Sequence, residues 1–162
     1  MNNIPINIKS LHINANKALK EKNYSQGKIL LEKILLINPN IFEVNFNLAM
    51  ISLQLDDLDT SIKYFEKAKK LNPDASRVYL NLGLAYEKKK EINLAIINYQ
   101  KIIEIDPNNS YAFYYLGSLY QEIYDMEKAE KNLKKCLDLK ANFTDAYINL
   151  FSLYDRSNQL KK

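Results

Sequence analysis

The chain of 162 residues is poor in the residue types from which catalytic and metal-binding sites are most often built. It contains one cysteine, Cys136, one histidine, His12, and no tryptophan. A single cysteine excludes an internal disulfide framework and fits a reducing compartment. A single histidine excludes a metal site built on two histidines and leaves His12 as the only base for a serine-histidine-aspartate triad. The sequence therefore predicts a protein that is not an enzyme and that holds neither a metal nor a cofactor.

Long hydrophobic runs and glycine-rich loops are also missing. The three glycines stand apart from one another, which excludes a glycine-rich phosphate-binding loop. No window approaches the roughly 20 consecutive apolar residues of a membrane-spanning helix, and the first residues lack the apolar core of a signal peptide. We therefore expect a cytoplasmic protein that has no membrane partner.

Charge of one sign is not concentrated anywhere in the chain. Charged residues make up 26% of the sequence and give a formal net charge of +4. The lysine-rich stretches at 67–70, 87–90 and 131–135 are interleaved with glutamate, which is typical of a solvated helix face. The positive excess is too small and too scattered for a phosphate-binding surface, so we predict no nucleic-acid partner.

A period of 34 residues organises what the sequence does contain. Proline occurs at 39, 73 and 107, each time after an Asn or Asp that closes an apolar run, and Gly83 and Gly117 are also 34 residues apart. Proline just beyond a helix ends it, because its ring removes a hydrogen-bond donor and clashes with the preceding turn. The period divides the chain into units at 8–41, 42–75, 76–109 and 110–143, with a half unit at 144–162.

Each unit has apolar residues spaced by about 3.6, interrupted once near the middle by polar residues. This pattern predicts a first helix and a second helix joined by a tight turn, to which the acidic pair Asp56 and Asp57 contributes turn and capping chemistry. First helices are predicted at 8–21, 42–55, 76–89, 110–123 and 144–156, and second helices at 24–37, 58–71, 92–105 and 126–139. No stretch alternates with the period of two that a strand requires, so the predicted fold class is all-α.

The spacing of particular residues resembles the tetratricopeptide repeat, whose pattern is W-x2-L-G-x2-Y, then A-x3-F, then P. The third unit carries, in this order, Tyr79, Leu82, Gly83, Tyr86, Ala95, Tyr99 and Pro107. The fourth unit carries Phe113, Leu116, Gly117, Tyr120, Ala129 and Leu133. The second unit departs from the pattern at Asn45 and Ser61, and the first unit has Asn14 where leucine is expected.

This resemblance implies an architecture. In tetratricopeptide-repeat proteins, stacked helix-turn-helix repeats form an α-solenoid, a right-handed superhelix in which each repeat contacts its neighbours. We therefore expect a single array through residues 1–162, with about four repeats and a C-terminal half repeat that acts as a capping helix. Cys136 occupies a place where the family has a small buried residue, so we interpret it as part of the core.

The architecture also explains why glycine occurs inside apolar runs. Glycine within a helix costs about 1 kcal/mol relative to alanine. A residue with no side chain lets two helices cross closely, and the packing gained there offsets this cost. We expect Gly83 and Gly117 to contact Ala95 and Ala129, the alanines of their own second helices.

The resemblance further implies a function. In the family, first helices form a concave wall that holds an extended peptide or a helix of a partner, so we predict a scaffold for protein-protein interaction. The predicted groove residues are Phe46, Asn47, Met50, Arg77, Leu80, Asn81, Leu84, Tyr111 and Tyr114. Exposed apolar and aromatic side chains of this kind mark interaction surfaces. The alternative is that these long side chains only pack on one another across adjacent first helices.

Two further functions stay open at the level of the sequence. One is an accessory or targeting segment of a larger enzyme, such as a glycosyltransferase or a sulfotransferase, because repeat arrays are often fused to such domains. The other is self-association, in which the exposed face of the C-terminal helix pairs with another copy and gives a homo-oligomer.

Overall fold

The computed structural model describes residues 7–159, with side chains as far as Arg156. Over this range the chain folds into nine α-helices and contains no strand, which confirms the all-α prediction. The helices are α1 (Ile8–Lys20), α2 (Tyr24–Ile37), α3 (Phe42–Gln54), α4 (Leu58–Leu71), α5 (Ser76–Lys88), α6 (Ile92–Ile105), α7 (Ser110–Glu122), α8 (Met126–Leu139) and α9 (Thr144–Gln159). The second helices, α2, α4, α6 and α8, have the predicted bounds. The first helices α1, α3, α5 and α7 end one residue early, and α9 continues past the predicted end at 156.

The helices fall into two compact units, one that extends to Asn81 and one that begins at Leu82. In the first unit, α1 packs on α2, α2 on α3 and α3 on α4. In the second unit, α6 packs on α7, α7 on α8 and α9, and α8 on α9. Helix α5 begins in the first unit and ends in the second. Within each unit, helices that follow one another in sequence are therefore neighbours, and a single array through the whole chain stays a prediction.

A residue with positive φ lies in each turn between the first and the second helix of a repeat. These residues are Lys22, Asp56, Lys90 and Tyr124, with φ between 58° and 62°. In each turn the next backbone N–H donates to a carbonyl five residues earlier, at 2.8–2.9 Å, which closes the first helix with a Schellman motif. The left-handed conformation costs a residue other than glycine about 1–2 kcal/mol. The hydrogen bonds of the motif offset part of this cost.

The residue after each positive-φ position begins the second helix. Asn23, Asp57 and Asp125 each accept a hydrogen bond from the backbone N–H three residues later, at 3.2–3.3 Å. Such a side-chain cap satisfies one of the free N–H groups at a helix start. The predicted roles of the acidic pair are confirmed, because Asp57 caps α4 and Asp56 supplies the left-handed turn.

Repeats are joined by a second type of turn. Asn38, Asn72 and Asp106 each accept a hydrogen bond from the backbone N–H two residues later, at 3.0–3.3 Å, and proline follows each of them. This Asx turn lets the side chain imitate a backbone turn, while proline prevents the helix from continuing. In the fourth repeat Lys140 and Ala141 replace the Asx residue and the proline.

Asn45, which departs from the family pattern, makes the hydrogen bond that the pattern residue makes. It is fully buried, and its Nδ2 donates to the carbonyl of Pro39 at 3.1 Å. Tyr79 holds the same place one repeat later, and its hydroxyl donates to the carbonyl of Pro73 at 2.8 Å. Both side chains therefore tie a first helix to the proline turn that precedes it.

The first and second helices of a repeat approach closely at the two predicted glycines. A Cβ atom placed on Gly83 would lie 2.3 Å from a ring carbon of Tyr99. A Cβ atom placed on Gly117 would lie 2.6 Å from Cγ of Leu133 and 3.2 Å from its backbone nitrogen. Real Cβ atoms do not approach other atoms this closely in well-packed interiors, so the predicted close crossing is confirmed.

The residues that fill this crossing differ from the expected ones. Ala95 and Ala129 were predicted to face the glycines, but the nearest atoms belong to Tyr99 and Leu133, one helical turn later. Ala95 and Ala129 are nevertheless fully buried. The small residue on the first helix therefore makes room for a large side chain of the second helix, and the prediction of small against small is wrong.

Each unit has its own buried apolar cluster. The cluster of the first unit consists of Ala15, Leu30, Leu31, Ile34, Val44, Leu48 and Ile51. The cluster of the second unit consists of Leu133, Cys136, Phe143, Ala146 and Leu150. Cys136 is completely buried, which confirms its predicted place in the core, and burial raises the pKa of its thiol.

One half-buried carboxylate lies beside the Gly83 crossing. The hydroxyl of the fully buried Tyr99 donates a hydrogen bond to Glu87. Burial raises the pKa of Glu87 and the charge of Glu122 raises it further, whereas the hydrogen bond from Tyr99 and the charge of Lys90 lower it. Burial and the bond to Glu87 also raise the pKa of Tyr99. An ionised Glu87 is therefore less favourable in the folded than in the unfolded chain.

We expect Gly83→Ala to lower the free energy of unfolding by about 1–3 kcal/mol, because overpacking against Tyr99 outweighs the better helix propensity of alanine. Chemical denaturation measures the change. Gly27→Ala is the matched control, since its Cβ would lie 3.2 Å from a terminal methyl group of Leu19, a side chain that is partly exposed. This control is expected to be neutral or to stabilise by up to about 1 kcal/mol. Equal losses in the two variants would contradict the close crossing.

Tyr124→Gly is expected to raise the free energy of unfolding by about 0.5–1 kcal/mol, the relief of left-handed strain less the added freedom of glycine in the unfolded chain. The side chain of Tyr124 is 74% exposed, so its removal loses little packing. Lys131→Gly, on the exposed side of α8, is the control and is expected to lower stability by about 1 kcal/mol. A loss at both positions would show that the turn is not strained.

Glu87→Gln tests the raised pKa of this carboxyl group. A raised pKa in the folded state means that the folded chain takes up its proton at a higher pH than the unfolded chain does. The stability of the wild type relative to Glu87→Gln is therefore expected to rise as the pH falls through the raised pKa. It levels off below the ordinary value of 4.5. Unfolding measured at a series of pH values provides the comparison, and parallel pH profiles would contradict this assignment.

Candidate functional site

The predicted groove residues lie on three first helices, α3, α5 and α7, and they belong to both units. Those of the first unit are Phe46, Asn47, Met50, Arg77, Leu80 and Asn81. Those of the second unit are Leu84, Tyr111 and Tyr114. Helical spacing therefore placed them on the intended class of helix, and their exposure decides which of them are accessible to a ligand.

In the first unit, Asn47 and Met50 line a common cavity of about 160 Å³. Met50 is 39% exposed, and Asn47 is partly exposed. The remaining lining residues are Leu19, Tyr24, Ile51 and Gln54. The cavity therefore combines a flexible thioether and apolar walls with two amide groups.

Phe46 is a packing residue rather than an open surface residue. Only 9% of it is exposed. Its ring stacks on Phe42, with ring centroids 6.1 Å apart, and meets the edge of Phe65 at 5.6 Å. Aromatic pairs with these separations stabilise a fold beyond the area that they bury. Phe46 therefore belongs to the interior that supports α3.

Arg77 forms a cluster of contacts with the preceding first helix. Its guanidinium group lies 4.5 Å from the ring centroid of Phe46 and 5.0 Å from that of Phe42, within cation-π range. It also forms an ion pair with Glu43, one repeat earlier in the sequence. Both charged side chains are about half exposed, so the ion pair itself contributes little to stability. The charge of Arg77 is thus already engaged within the first unit.

The remaining predicted residues of α5 are only partly accessible. Leu80, Asn81 and Leu84 are all half-buried. The Nδ2 group of Asn81 donates to the carbonyl of Arg77 in its own helix, at 2.7 Å. Its amide oxygen is the group that stays directed to other partners.

In the second unit, Tyr111 and Tyr114 belong to a connected set of aromatic rings. Tyr114 stacks on Phe143 at 4.9 Å, and Tyr111 meets the same ring edge-on at 5.1 Å. Tyr115 continues the set, since it packs edge-on against Tyr114 at 5.5 Å and stacks on Tyr99 at 4.9 Å. Burial and the nearby charge of a carboxylate raise the pKa of Tyr115. Tyr111 is 50% exposed and forms the accessible edge of this set.

Lys140 completes the aromatic set and was not singled out from the sequence. Its ammonium group lies 4.8 Å from the ring centroid of Tyr111 and 5.1 Å from that of Phe143, and it donates to the Tyr111 hydroxyl at 3.1 Å. A signal was present in the sequence, because lysine replaces the Asx residue that the 34-residue period calls for. The exchange of a turn residue for a cation therefore marks the edge of the aromatic set.

A larger and more polar cleft lies between α7 and α9. Its volume is about 460 Å³. Asn149 Nδ2 donates to the hydroxyl of Ser118 at 2.8 Å, and Gln121 Nε2 donates to the hydroxyl of Ser152 at 3.4 Å. The full lining is Tyr114, Ser118, Gln121, Glu122, Asn149, Ser152 and Arg156. The cleft therefore places amides, hydroxyls and two charges of opposite sign beside a predicted aromatic anchor.

Groups suited to other chemistry were also examined across the described part of the chain. Among residues 7–159, no group of three or more His, Cys, Asp or Glu side chains is arranged to hold a metal ion. His12 is half-buried on α1. None of the helices between residues 7 and 159 has the length and apolar character needed to cross a membrane.

Comparison with known protein families supports the repeat assignment. Family models described as tetratricopeptide repeat match residues 42–75, 76–109 and 98–131, which together span more than half of the chain. The first two matches coincide with the second and third predicted repeats, and the last begins within α6 and ends within α8. A comparison with curated proteins found no significant match.

Several solved structures have a similar fold. MamA of Desulfovibrio magneticus RS-1, from residue 41 to its end, is 20% identical with a TM-score of 0.86, over 95% of this chain and 87% of that one. YrrB, titled a TPR protein with an unusual peptide-binding site, is 21% identical with a TM-score of 0.79, over 86% and 72%. A tetratricopeptide repeat protein from Parabacteroides merdae ATCC 43184 is 18% identical with a TM-score of 0.88, over 93% and 60%.

At this level of identity the solved structures are evidence of a shared fold alone. They agree with the order of helices, the 34-residue period and the family models. The chain belongs to the tetratricopeptide-repeat family, and its fold class is an all-α solenoid of helical repeats.

Proposed function

We propose that this protein is a scaffold for protein-protein interaction, which binds a peptide or a segment of a partner protein on the exposed faces of its first helices. The proposal depends most on the cleft between α7 and α9. There, about 460 Å³ of open space is bounded by Tyr114 on one side and by side-chain amides and hydroxyls on the other. Ligand sites in proteins typically combine apolar or aromatic walls with a few convergent polar groups.

The polar side chains of this cleft suit the backbone of an extended peptide. Asn149 and Ser118 bond to each other across α7 and α9, and so do Gln121 and Ser152. An arriving peptide offers N–H and C=O groups at regular intervals, so it can replace these bonds with equivalent ones and leave no buried polar group without a partner. Binding would then be selective through the side chains that meet the aromatic anchor.

In the first unit, the cavity beside Asn47 and Met50 suits a single apolar side chain. Its volume of about 160 Å³ is close to that of an apolar cavity that holds benzene, about 150 Å³. Methionine has three rotatable bonds and a polarisable sulfur, so it adapts to ligand groups of different shapes. We assign direct contact with the ligand to Asn47, Met50, Tyr111 and Tyr114.

The other predicted groove residues have supporting roles in this proposal. Phe46 and Arg77 hold the surface of the first unit in place, because one is buried and the other is engaged with Glu43. Leu80, Asn81 and Leu84 are proposed as partly exposed contributors along α5. The sequence-based alternatives stay predictions: an accessory segment of a larger enzyme, self-association through the C-terminal helix, and a cytoplasmic location.

The proposal is tested with a displayed library of random peptides, selected on the wild-type protein. Selected peptides are expected to lose about tenfold in affinity, or about 1.4 kcal/mol, for each contact removed by Met50→Ala or by Gln121→Ala with Arg156→Ala. These side chains are at least partly exposed, so the variants are expected to keep their fold, which circular dichroism checks.

Ile97→Ala is the matched control, because Ile97 is an apolar residue on the second helix α6 and is 59% exposed. It is expected to bind the selected peptides as the wild type does. If the peptides bound all the variants equally well, the faces of the first helices would not be the binding surface. Failure to select any peptide would speak against the proposal as a whole.

A further inference from the structure

Phe151 on α9 occupies a position that is small in every preceding first helix. The residues at this place, 34 apart, are Ala15, Ala49, Gly83 and Gly117. In the second unit the glycine at this place lets the second helix approach closely. A phenylalanine prevents such an approach, and Phe151 is instead 75% exposed. This ring is therefore a projecting apolar group rather than a seat for a regular second helix.

Phe151 lies in an apolar stripe along α9. Tyr147, Phe151 and Tyr154 follow the spacing of four and three that places side chains on one helix face, and they are 53%, 75% and 40% exposed. Ile148, beside them, is 59% exposed. Monomeric soluble proteins rarely expose a contiguous apolar patch without using it for an interaction. The stripe therefore requires a complementary apolar groove.

Such a groove lies in the first unit, between the second helices α2 and α4. Its volume is about 450 Å³, and apolar side chains form most of its lining. Leu36 on its rim is 86% exposed, an unusually high value for a leucine. The lining residues are Glu32, Leu35, Leu36, Pro39, Lys63, Tyr64 and Lys67. This groove is made by second helices, so it is distinct from the first-helix surfaces of the proposed function.

Charge favours the α9 stripe as the occupant of this groove. Lys63 and Lys67 lie along one side of the groove, opposite the single carboxylate Glu32. The ammonium group of Lys63 lies 5.7 Å from the ring centroid of Tyr64, and neither lysine has an ion-pair partner among the residues that the structure describes. On α9, the exposed Asp155 follows Phe151 by one helical turn and shares its side of the helix.

We infer that Phe151 of one copy of this chain inserts into the groove between α2 and α4 of a second copy, with Asp155 facing Lys63 and Lys67. Each copy uses two different surfaces, so the contact is heterologous and continues into open chains or closes into a ring. One helix against one groove is a small interface, so the assembly is weak and depends on concentration. It uses none of the residues of the peptide clefts, and its failure would leave the proposed function standing.

Sedimentation velocity over about a hundredfold range of protein concentration tests the inference. The mass of the wild type is expected to grow with concentration beyond that of a dimer. Leu36→Glu and Phe151→Glu each change a side chain that is at least 75% exposed, so both variants are expected to fold and to stay monomeric. Ile97→Glu, at a residue that is 59% exposed, is the control and is expected to assemble as the wild type does.

A mixture of the two variants gives the sharpest result. Leu36→Glu keeps an intact α9 stripe and Phe151→Glu keeps an intact groove, so an equimolar mixture is expected to form dimers that cannot grow. If Leu36→Glu assembled normally while Phe151→Glu did not, two α9 stripes would be pairing with each other, and the inference would be overturned. A wild type that is monomeric at every concentration, or a mixture that stays monomeric, would overturn it as well.

Charge reversal provides an independent readout. Lys63→Glu with Lys67→Glu is expected to weaken assembly about tenfold, which corresponds to about 1.4 kcal/mol. Adding Asp155→Lys to that variant is expected to restore assembly, since the two charges then have exchanged places. Restoration distinguishes a direct contact from a general effect of net charge on solubility. Loss of assembly without restoration would contradict the proposed pairing of Asp155 with the lysines.

Discussion

The close crossing of the first and second helix within each repeat is the contact on which the rest of the fold depends. It requires a small residue at one place on the first helix, filled by glycine at Gly83 and Gly117 and by alanine at Ala49. Where the second helix also brings a polar group close, that group is satisfied: the buried Ser61 hydroxyl donates to the carbonyl of Ala49 at 2.9 Å. The large side chains opposite, of which Tyr99 is one, then fill the interior. A single small residue thereby sets the distance between the two helices of a repeat.

The turns set the other half of the geometry and do so almost without apolar contacts. A positive-φ residue and a Schellman motif close each first helix, and an Asx turn with proline closes three of the second helices. These devices recur every 34 residues although the residue types vary, from Lys22 to Tyr124 at the left-handed position. Backbone hydrogen bonds therefore define the hairpins, and side chains decide how neighbouring hairpins differ.

The sequence predicted the helices well because their signals are local. Apolar periodicity, proline and capping residues act within one turn of a helix boundary, so the bounds of all four second helices followed from them. Contacts between helices were harder to predict, since the facing residue depends on rotation about both axes. For this reason Ala95 was expected where Tyr99 lies, and Phe46 was expected on an open surface although Phe42, Phe65 and Arg77 cover it. The polar cleft between α7 and α9 combines residues from two helices, which periodicity along one helix does not reveal.

The lone thiol of Cys136 makes this chain its own reporter of internal motion. It is completely buried on α8, in contact with the apolar cluster that also holds Leu133 and Phe143. A thiol reagent reaches this sulfur only when α8 separates from its neighbours, and the raised pKa keeps the unreactive protonated form dominant until then. Because the protein has one cysteine, the modification rate reports the opening of this hairpin alone, without an engineered probe.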